Sequence, residues 1–440
     1  MTPPSALQVS LRALYRALPE AVRAPLLSLF WRTRLRHVRF PALPACHPAQ
    51  ESTPSAGSDT RWFSTEIGVR IHGYLSGEFG LGESARLYAT ALKAAGVPVQ
   101  VNDLDLRLPH TNRPHGIQSD NFDGVQYVID LVVVNPDYLR QALPLLPPRC
   151  QPGHVRVGCW FWELECIPRS WHWALGEFDA LLAASDFVES ALRLCADIPV
   201  MKVPLPVWRR EPSAAGRRDF GLPDDAFVFL TTFDFHSFTA RKNPLAAIAA
   251  FKLAFPALTE RVVLVVKSSN GERYPHLLAK LVSVSRGDPR IIIRDGVLER
   301  PHLRALQMAA DVFVSLHRAE GFGLGLAECM ALGKPVIATG WSGNLEFMSE
   351  NNSCLVNWRE IEVRPGEYVD TAESHRWAEP DVGHAASYMR TLAADPALGT
   401  AIGRRGQIDI ERSLAPKVIG QALLHEFQAL QSAHSGGGRV

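Results

Sequence analysis

The sequence predicts an α/β protein made of two doubly wound units facing a cleft. Two observations carry this. From residue 61 onward, short β-branched runs alternate with helical stretches, the pattern of a parallel sheet with helices on both faces. A Pro- and Arg-rich stretch at 204–223 then breaks the rhythm, which restarts behind it. The composition agrees: 440 residues, 47% hydrophobic and 21% charged, with a net charge of +1, bound two or three domains with sizeable cores. They exclude disorder, collagen-like repeats or coiled coil for the chain as a whole. So even a charge balance also argues against a nucleic-acid binder.

The first forty residues differ from the rest. Arg12, Arg16, Arg23, Arg32, Arg34, Arg36 and Arg39 face one acid, Glu20, and are interleaved with Leu, Phe30 and Trp31. Such a segment suits the headgroup region of an anionic leaflet, or else a solvated arm or a helix packed on the body. Residues 41–59, rich in Pro, Ser and Ala, read as a linker. The expected organisation is therefore an arm and linker at 1–60, an N-terminal domain at 61–208 and a C-terminal domain at 209–414. A final helix within 415–440 is expected to pack back on the N-terminal domain.

Expected strands in the first unit are 67–74, 97–101, 127–134, 155–160, 180–184 and 200–203. Those in the second are 226–232, 262–267, 291–293, 312–315 and 336–339. The nearest approach to a membrane span is only the run at 24–31, well short of the roughly 18 residues needed. Seven cysteines (Cys46, Cys150, Cys159, Cys166, Cys195, Cys329, Cys354) contain no CxxC pair and read as reduced thiols in the cytoplasm.

The richest segment is 310–348, ADVFVSLHRAEGFGLGLAECMALGKPVIATGWSGNLEFM. A strand at 312–315 leads through Glu320-Gly321-Phe322-Gly323 into a helix from Leu324. Glycines let backbone N–H groups approach a ligand, and the helix start favours an anion such as a diphosphate. Glu320 stands in the loop at the strand's carboxyl end and Glu328 within the helix, two carboxylates suited to sugar hydroxyls.

EGFGLGLAE, followed by GKPVIAT and a Gly-Asn-x-Glu turn, resembles the donor signature of retaining glycosyltransferases of family 4, of the bacterial polysaccharide or O-antigen type. These have the GT-B fold, two Rossmann-like domains around a central cleft, which implies an acceptor-side domain at 61–208 and a nucleotide-sugar-binding domain at 209–414. The resemblance implies that Glu320 contacts the donor sugar near the reacting centre, that Glu328 holds the ribose, and that the backbone around Phe322, Gly323 and Leu324 meets the diphosphate or sugar. It makes Lys242, in TARKNP, the lysine that neutralises the leaving diphosphate. The usual arginine after the first strand of this domain is replaced by Phe233-Asp234, so Arg241 or Lys267 is expected to supply its charge. His317, three residues before Glu320, is a candidate donor contact.

In the first unit, Gly80-x-Gly82-x-x-Ala85 with Asp103 or Asp105 further on matches a dinucleotide fingerprint. The glycines do not follow the strand in a tight turn, which argues against a dinucleotide site; the resemblance implies instead a glycine-rich loop that closes over the donor phosphates and shapes the acceptor site. VGCWFWELECIPRSWHW places Trp160, Trp162, Glu163, Trp171 and Trp173 together, with Trp208 later. Trp162 and Glu163 are acceptor-side candidates, and the alternative is a buried aromatic cluster. His72 and His154 are read as structural or surface residues.

The expected activity is transfer of a hexose from a nucleoside-diphosphate sugar to a hydroxyl of a growing, lipid-linked glycan, leaning toward mannose from GDP-mannose. No cofactor or metal is expected, since no DxD stands in the cleft motifs. Peripheral contact with the inner face of the cytoplasmic membrane is expected from the arm. The competing readings are a catalytically silent sugar-nucleotide-binding subunit and a sugar-nucleotide epimerase.

Overall fold

The computed structural model describes residues 20–35, 38, 67–108, 112–122, 124–149, 153–369 and 374–436. Helix α1 (Glu20–Leu35) precedes the N-terminal domain, which runs β1 (Ile67–Gly73), α2 (Gly80–Ala94), β2 (Val99–Asp103), β3 (Gln126–Val133), α3 (Pro136–Ala142), β4 (Val155–Cys159), β5 (Ala180–Ala183), α4 (Asp186–Arg193) and β6 (Val200–Lys202). Its strands form one six-stranded parallel sheet, ordered β2-β1-β3-β4-β5-β6.

The C-terminal domain runs β7 (Phe227–Asp234), α5 (Thr239–Lys242), α6 (Pro244–Ala254), β8 (Val262–Ser269), α7 (Pro275–Ser285), β9 (Ile291–Asp295), α8 (Arg300–Ala309), β10 (Val312–Ser315), α9 (Leu324–Ala331), β11 (Val336–Thr339) and β12 (Cys354–Val356). These strands form a second parallel sheet, ordered β12-β11-β10-β7-β8-β9. An antiparallel hairpin, β13 (Trp358–Glu362) and β14 (Arg376–Pro380), is followed by α10 (Val382–Ala394), α11 (Pro396–Ser413) and α12 (Pro416–Gly436).

Local chemistry explains the boundaries. Pro244 opens α6, where the missing N–H has no partner to lose. Ser185, Asp381 and Asp395 cap α4, α10 and α11 by accepting from Val188, His384 and Leu398 N–H groups, each contributing about 1 kcal/mol. Val262 to Val266 are all buried, as expected of a central parallel strand covered on both faces. Ile419, Leu423 and Phe427 of α12 are buried, and the helix lies across α2 of the N-terminal domain.

Strand order reverses between β7 and β10, so the loops after those two strands diverge and open a crevice between them. This switch point positions the site. Strand β12 and the β13–β14 hairpin were not expected. The charged run WREIE shows no apolar pattern, and its pairing with 376–380 is set by packing: Val363, Tyr368 and Trp377 enter the tryptophan-rich core of the N-terminal domain.

The linker at 41–59 and most of the basic arm lie outside the described residues. Helix α1 rests against α7, leaving Leu26, Leu29 and Phe30 exposed. No helix among the described residues is long and apolar enough to cross a membrane. Cys159, Cys166, Cys195, Cys329 and Cys354 carry free thiols; Cys46 and Cys150 lie outside the described residues.

Candidate active site

Glu320 follows β10, and the short helix α5 follows β7, so the switch point brings their side chains together. Lys242 Nζ lies 2.5 Å from Glu320 Oε1, and Arg241 donates to Glu320 Oε2 at 3.2 Å and to the Ala319 carbonyl at 2.9 Å. The other end of Arg241 is 3.5 Å from Glu163 Oε1 of the N-terminal domain. Glu163 in turn accepts from the Tyr368 hydroxyl. Two cations thus meet two carboxylates, and Arg241 and Glu320 are both buried.

Burial alone would raise the Glu320 carboxyl. The charges of Lys242 and Arg241 outweigh it and hold Glu320 at about 2. Burial pulls the Lys242 amine down even beside Glu320, whereas Glu163 and Glu320 together push the Arg241 guanidinium up against the same desolvation. Glu320 is therefore ionised through the whole physiological range.

Gly323 caps α9 in the left-handed region at φ +90°, a conformation that puts Leu324 at the helix start and that a side chain would strain. Glu328 follows one turn later. Its side chain is 24% exposed and lies 3.9 Å from Arg300, in a narrow crevice with Leu87, Trp208, Arg210, Arg304 and Leu324. Arg300 also pairs at 2.8 Å with Glu83 of α2, which Arg210 approaches to 3.1 Å. Burial, with the nearby negative charge of Glu83, raises the Glu328 carboxyl even though Arg300 opposes it. Glu83 itself is held at about 2, because Arg300, Arg210 and Arg86 overcome its burial.

The cleft is closed across the domains. Ser185 donates to the Gly321 carbonyl at 2.6 Å, Lys202 meets Glu346 at 2.8 Å and Arg113 meets Glu299 at 2.9 Å. Gly82 lies in the first turn of α2, where a Cβ would stand 2.4 Å from the Gly77 carbonyl oxygen and 2.5 Å from that of Tyr74; Gly80 begins the same helix.

Several expected site residues stand elsewhere. Lys267 does not join Glu320: it donates to Ser269 at 2.8 Å, and burial lowers it to about 8 against the pull of Asp234 and Asp295. Of the two candidates for the missing arginine, Arg241 is the one beside Glu320. His317 is fully buried, with Nδ1 against Ser315 and Nε2 3.0 Å from Asn344. It ties the loop after β10 to the loop after β11 and has no exposed surface. Trp162 is 1% exposed, donates to the Cys166 carbonyl and packs on Trp171 and Tyr368, so its face is closed to a sugar and the aromatic cluster is core. Phe322 is likewise buried against Phe347, leaving only its backbone to the loop.

Sequence reading missed Arg300, Arg210, Glu83 and Tyr368. Arg300 had one signal, its place just beyond the carboxyl end of β9, on the ligand side of the sheet. Tyr368, on a hairpin without apolar pattern, had none.

Residues 237–364, which include Arg241, Lys242, Glu320 and Glu328, match the family described as glycosyl transferases group 1. A D-inositol 3-phosphate glycosyltransferase of Thermobispora bispora is 33% identical over 144 residues, 32% of this chain and 33% of that protein. One from Stackebrandtia nassauensis is 30% identical over 226 residues, 46% and 48% of the two chains. The chain thus spans from a third to a half of the length of these curated relatives. Among solved structures, a sucrose-phosphate synthase from Thermosynechococcus elongatus superposes with a TM-score of 0.59 at 18% identity, covering 83% of this chain and all of that one. Anabaena HepE, in complex with UDP and glucose, gives 0.57 at 15%, covering 82% and 99%. The fold is GT-B, and the segment that carries Glu320 and Glu328 matches the group 1 glycosyl transferase model.

Proposed function

We propose that the chain is a hexosyltransferase that moves a sugar from a nucleoside-diphosphate donor to an acceptor hydroxyl held against the N-terminal domain, with retention at the anomeric carbon. The observation that carries this reading is the Lys242–Glu320–Arg241 cluster at the switch point, in a loop that leads into α9 with Glu328 in its first turns. In this reading the donor's ribose lies by Glu328 and its diphosphate by the glycine-rich helix start, where Lys242 and Arg241 balance its charge. The leaving phosphate takes the acceptor proton on the same face, so the protein supplies position and charge stabilisation. Glu163 and Glu320 occupy the two cations in the closed cleft, and a bound diphosphate competes for them.

For the donor sugar, mannose from GDP-mannose is the reading drawn from the motif. The HepE structure with UDP and glucose supports testing UDP-glucose beside it. The names of the curated relatives support a phosphorylated polyol as acceptor alongside a lipid-linked glycan of cell-surface polysaccharide synthesis. The exposed Leu26, Leu29 and Phe30 on α1, within the basic arm, support peripheral attachment to an anionic membrane.

The test is a thermal-shift panel of UDP, GDP, ADP and their sugar conjugates on the full chain and on Glu328→Ala, followed by transfer assays with and without acceptor. A ligand at about 100 times its Kd adds roughly 2.7 kcal/mol. A shift with one nucleotide that Glu328→Ala weakens, plus acceptor-dependent turnover, is the expected result. Turnover without acceptor indicates an epimerase, and nucleotide binding without turnover a silent subunit. Deleting residues 1–58 is expected to release the chain from anionic liposomes; undiminished binding would remove the membrane role.

A further inference from the structure

A parallel sheet covered on both faces is ordinarily apolar on both. The N-terminal sheet breaks this rule in one place. Gln100, Arg70, Asp130 and Arg156 stand in register across β2, β1, β3 and β4, with Asn102 and His72 paired one step further along the first two of these strands. Alternation along each strand puts these side chains on the face opposite Val69 and Ile71, which belong to the core beneath α2.

Asp130 is fully buried at the centre of the row. Arg70 Nε donates to it at 2.8 Å, His154 Nε2 lies at 2.9 Å, His72 Nε2 at 3.1 Å and Arg156 at 3.8 Å. One carboxylate therefore serves two guanidiniums and two imidazoles, and the cluster keeps a net positive charge. A buried ion cluster is no more stabilising than apolar residues of similar volume, so fold stability alone does not account for it.

Beside this row lies a cavity of about 320 Å³, lined by Arg70, His72, Gln100, Asn102, Leu145 and Pro147 among others. None of its lining residues comes from the C-terminal domain, and it opens beside the edge strand β2. Its size falls in the range of small-ligand sites. Arg70 offers it a cationic wall. The Gln100 and Asn102 amides offer acceptors for hydroxyls, since their NH2 groups are already directed to Asn121 and Leu145. Leu145 and Pro147 supply an apolar wall.

We propose that this cavity is a second binding site, separate from the donor cleft, for a monosaccharide bearing a phosphate or carboxylate. The anion meets Arg70 and the hydroxyls meet Gln100 and Asn102. The charge excess of the row selects the anion, and the apolar wall accepts the ring.

The experiment is isothermal titration of the full chain with glucose 6-phosphate, glucuronate and neutral glucose, each with and without saturating UDP or GDP. Parallel titrations use Arg70→Gln, which removes the cation, and Leu145→Trp, which fills the cavity from a half-exposed position and leaves the buried row intact. The expected result is binding of one or both anionic sugars with unchanged affinity in the presence of nucleotide. That affinity falls at least tenfold in both variants, and glucose binds at least tenfold more weakly. Binding of the phosphate ester alone, or of the uronate alone, identifies which anion the row selects. Failure of both anions to bind, displacement by nucleotide, or full affinity in a folded Leu145→Trp protein would overturn the proposal.

Discussion

Glu320 and Glu328 come from one loop and the helix it opens, yet their surroundings drive them in opposite directions. Glu320 sits between Lys242 and Arg241 and is held at about 2. Glu328, one helical turn inside α9, has Arg300 at 3.9 Å and the like charge of Glu83 nearby, and burial raises it. The first carboxylate is bound into a cation cluster that spans both domains; the second is left partly uncompensated. The lesson is that a motif sets which residues stand where, and that the partners brought by distant segments decide what each can do.

The largest expected effect belongs to the Glu320 region. Glu320→Ala is expected to lower turnover by about 10²–10³, the cost of removing one group that stabilises developing charge, with the circular-dichroism spectrum retained. Transfer at the parental rate would erase the distinction between the two glutamates. Arg241→Met leaves Glu163 and Glu320 facing each other without their shared cation. Unfolding in urea should show a loss of about 3–5 kcal/mol, the usual result of breaking a buried charge pair from one side. A loss below about 1 kcal/mol would mean the cluster is solvated.

Glu328→Ala should act on binding. Loss of hydrogen bonds to a charged group is worth about 1.5–3 kcal/mol, so the donor Kd should rise about ten- to a hundredfold while kcat stays within a few-fold. An equal fall in kcat with Kd unchanged would give Glu328 a role at the reacting centre instead.

The smallest effect concerns pH. Because the folded Glu320 carboxyl titrates below its ordinary value of 4.5, its contribution to stability is fully present above about 4.5 and is lost as pH falls toward 2. The stability gap between the parent and Glu320→Gln should therefore close over that window. For Glu328 the sign reverses. Its raised carboxyl keeps a proton where the unfolded chain has lost one, so its contribution is present in acid and lost as pH rises through the raised value. Glu328→Gln should then slightly raise the melting temperature of the nucleotide-free protein at neutral pH. A lower melting temperature would show that Arg300 fully compensates Glu328.

Much of this was legible in the chain. Expected strands at 67–74, 180–184 and 312–315 match observed strands within a residue or so, because β-branched runs between glycines and prolines encode a strand locally. The strand–loop–helix around Glu320 was readable for the same reason, and so was the break at 204–223. The aromatic run near Trp162 was ambiguous, since an exposed stacking face and a buried core have the same composition. Its burial follows from the hairpin that carries Tyr368 and Trp377, whose approach no local pattern announces.

The resemblance to a known family, not a local pattern, singled out Lys242; by itself, then, the sequence determined two parallel α/β units and a glycine-rich helix start with two glutamates. These follow from backbone preferences and side-chain periodicity over a few residues. Only the tertiary structure decided that Arg241, and not Lys267, stands beside Glu320, that Glu163 and Tyr368 pair across 205 residues, and that Arg70, Asp130 and Arg156 form one row. Each of these depends on strand order and domain closure, which arise from the packing of segments far apart in the chain and leave no local pattern to read.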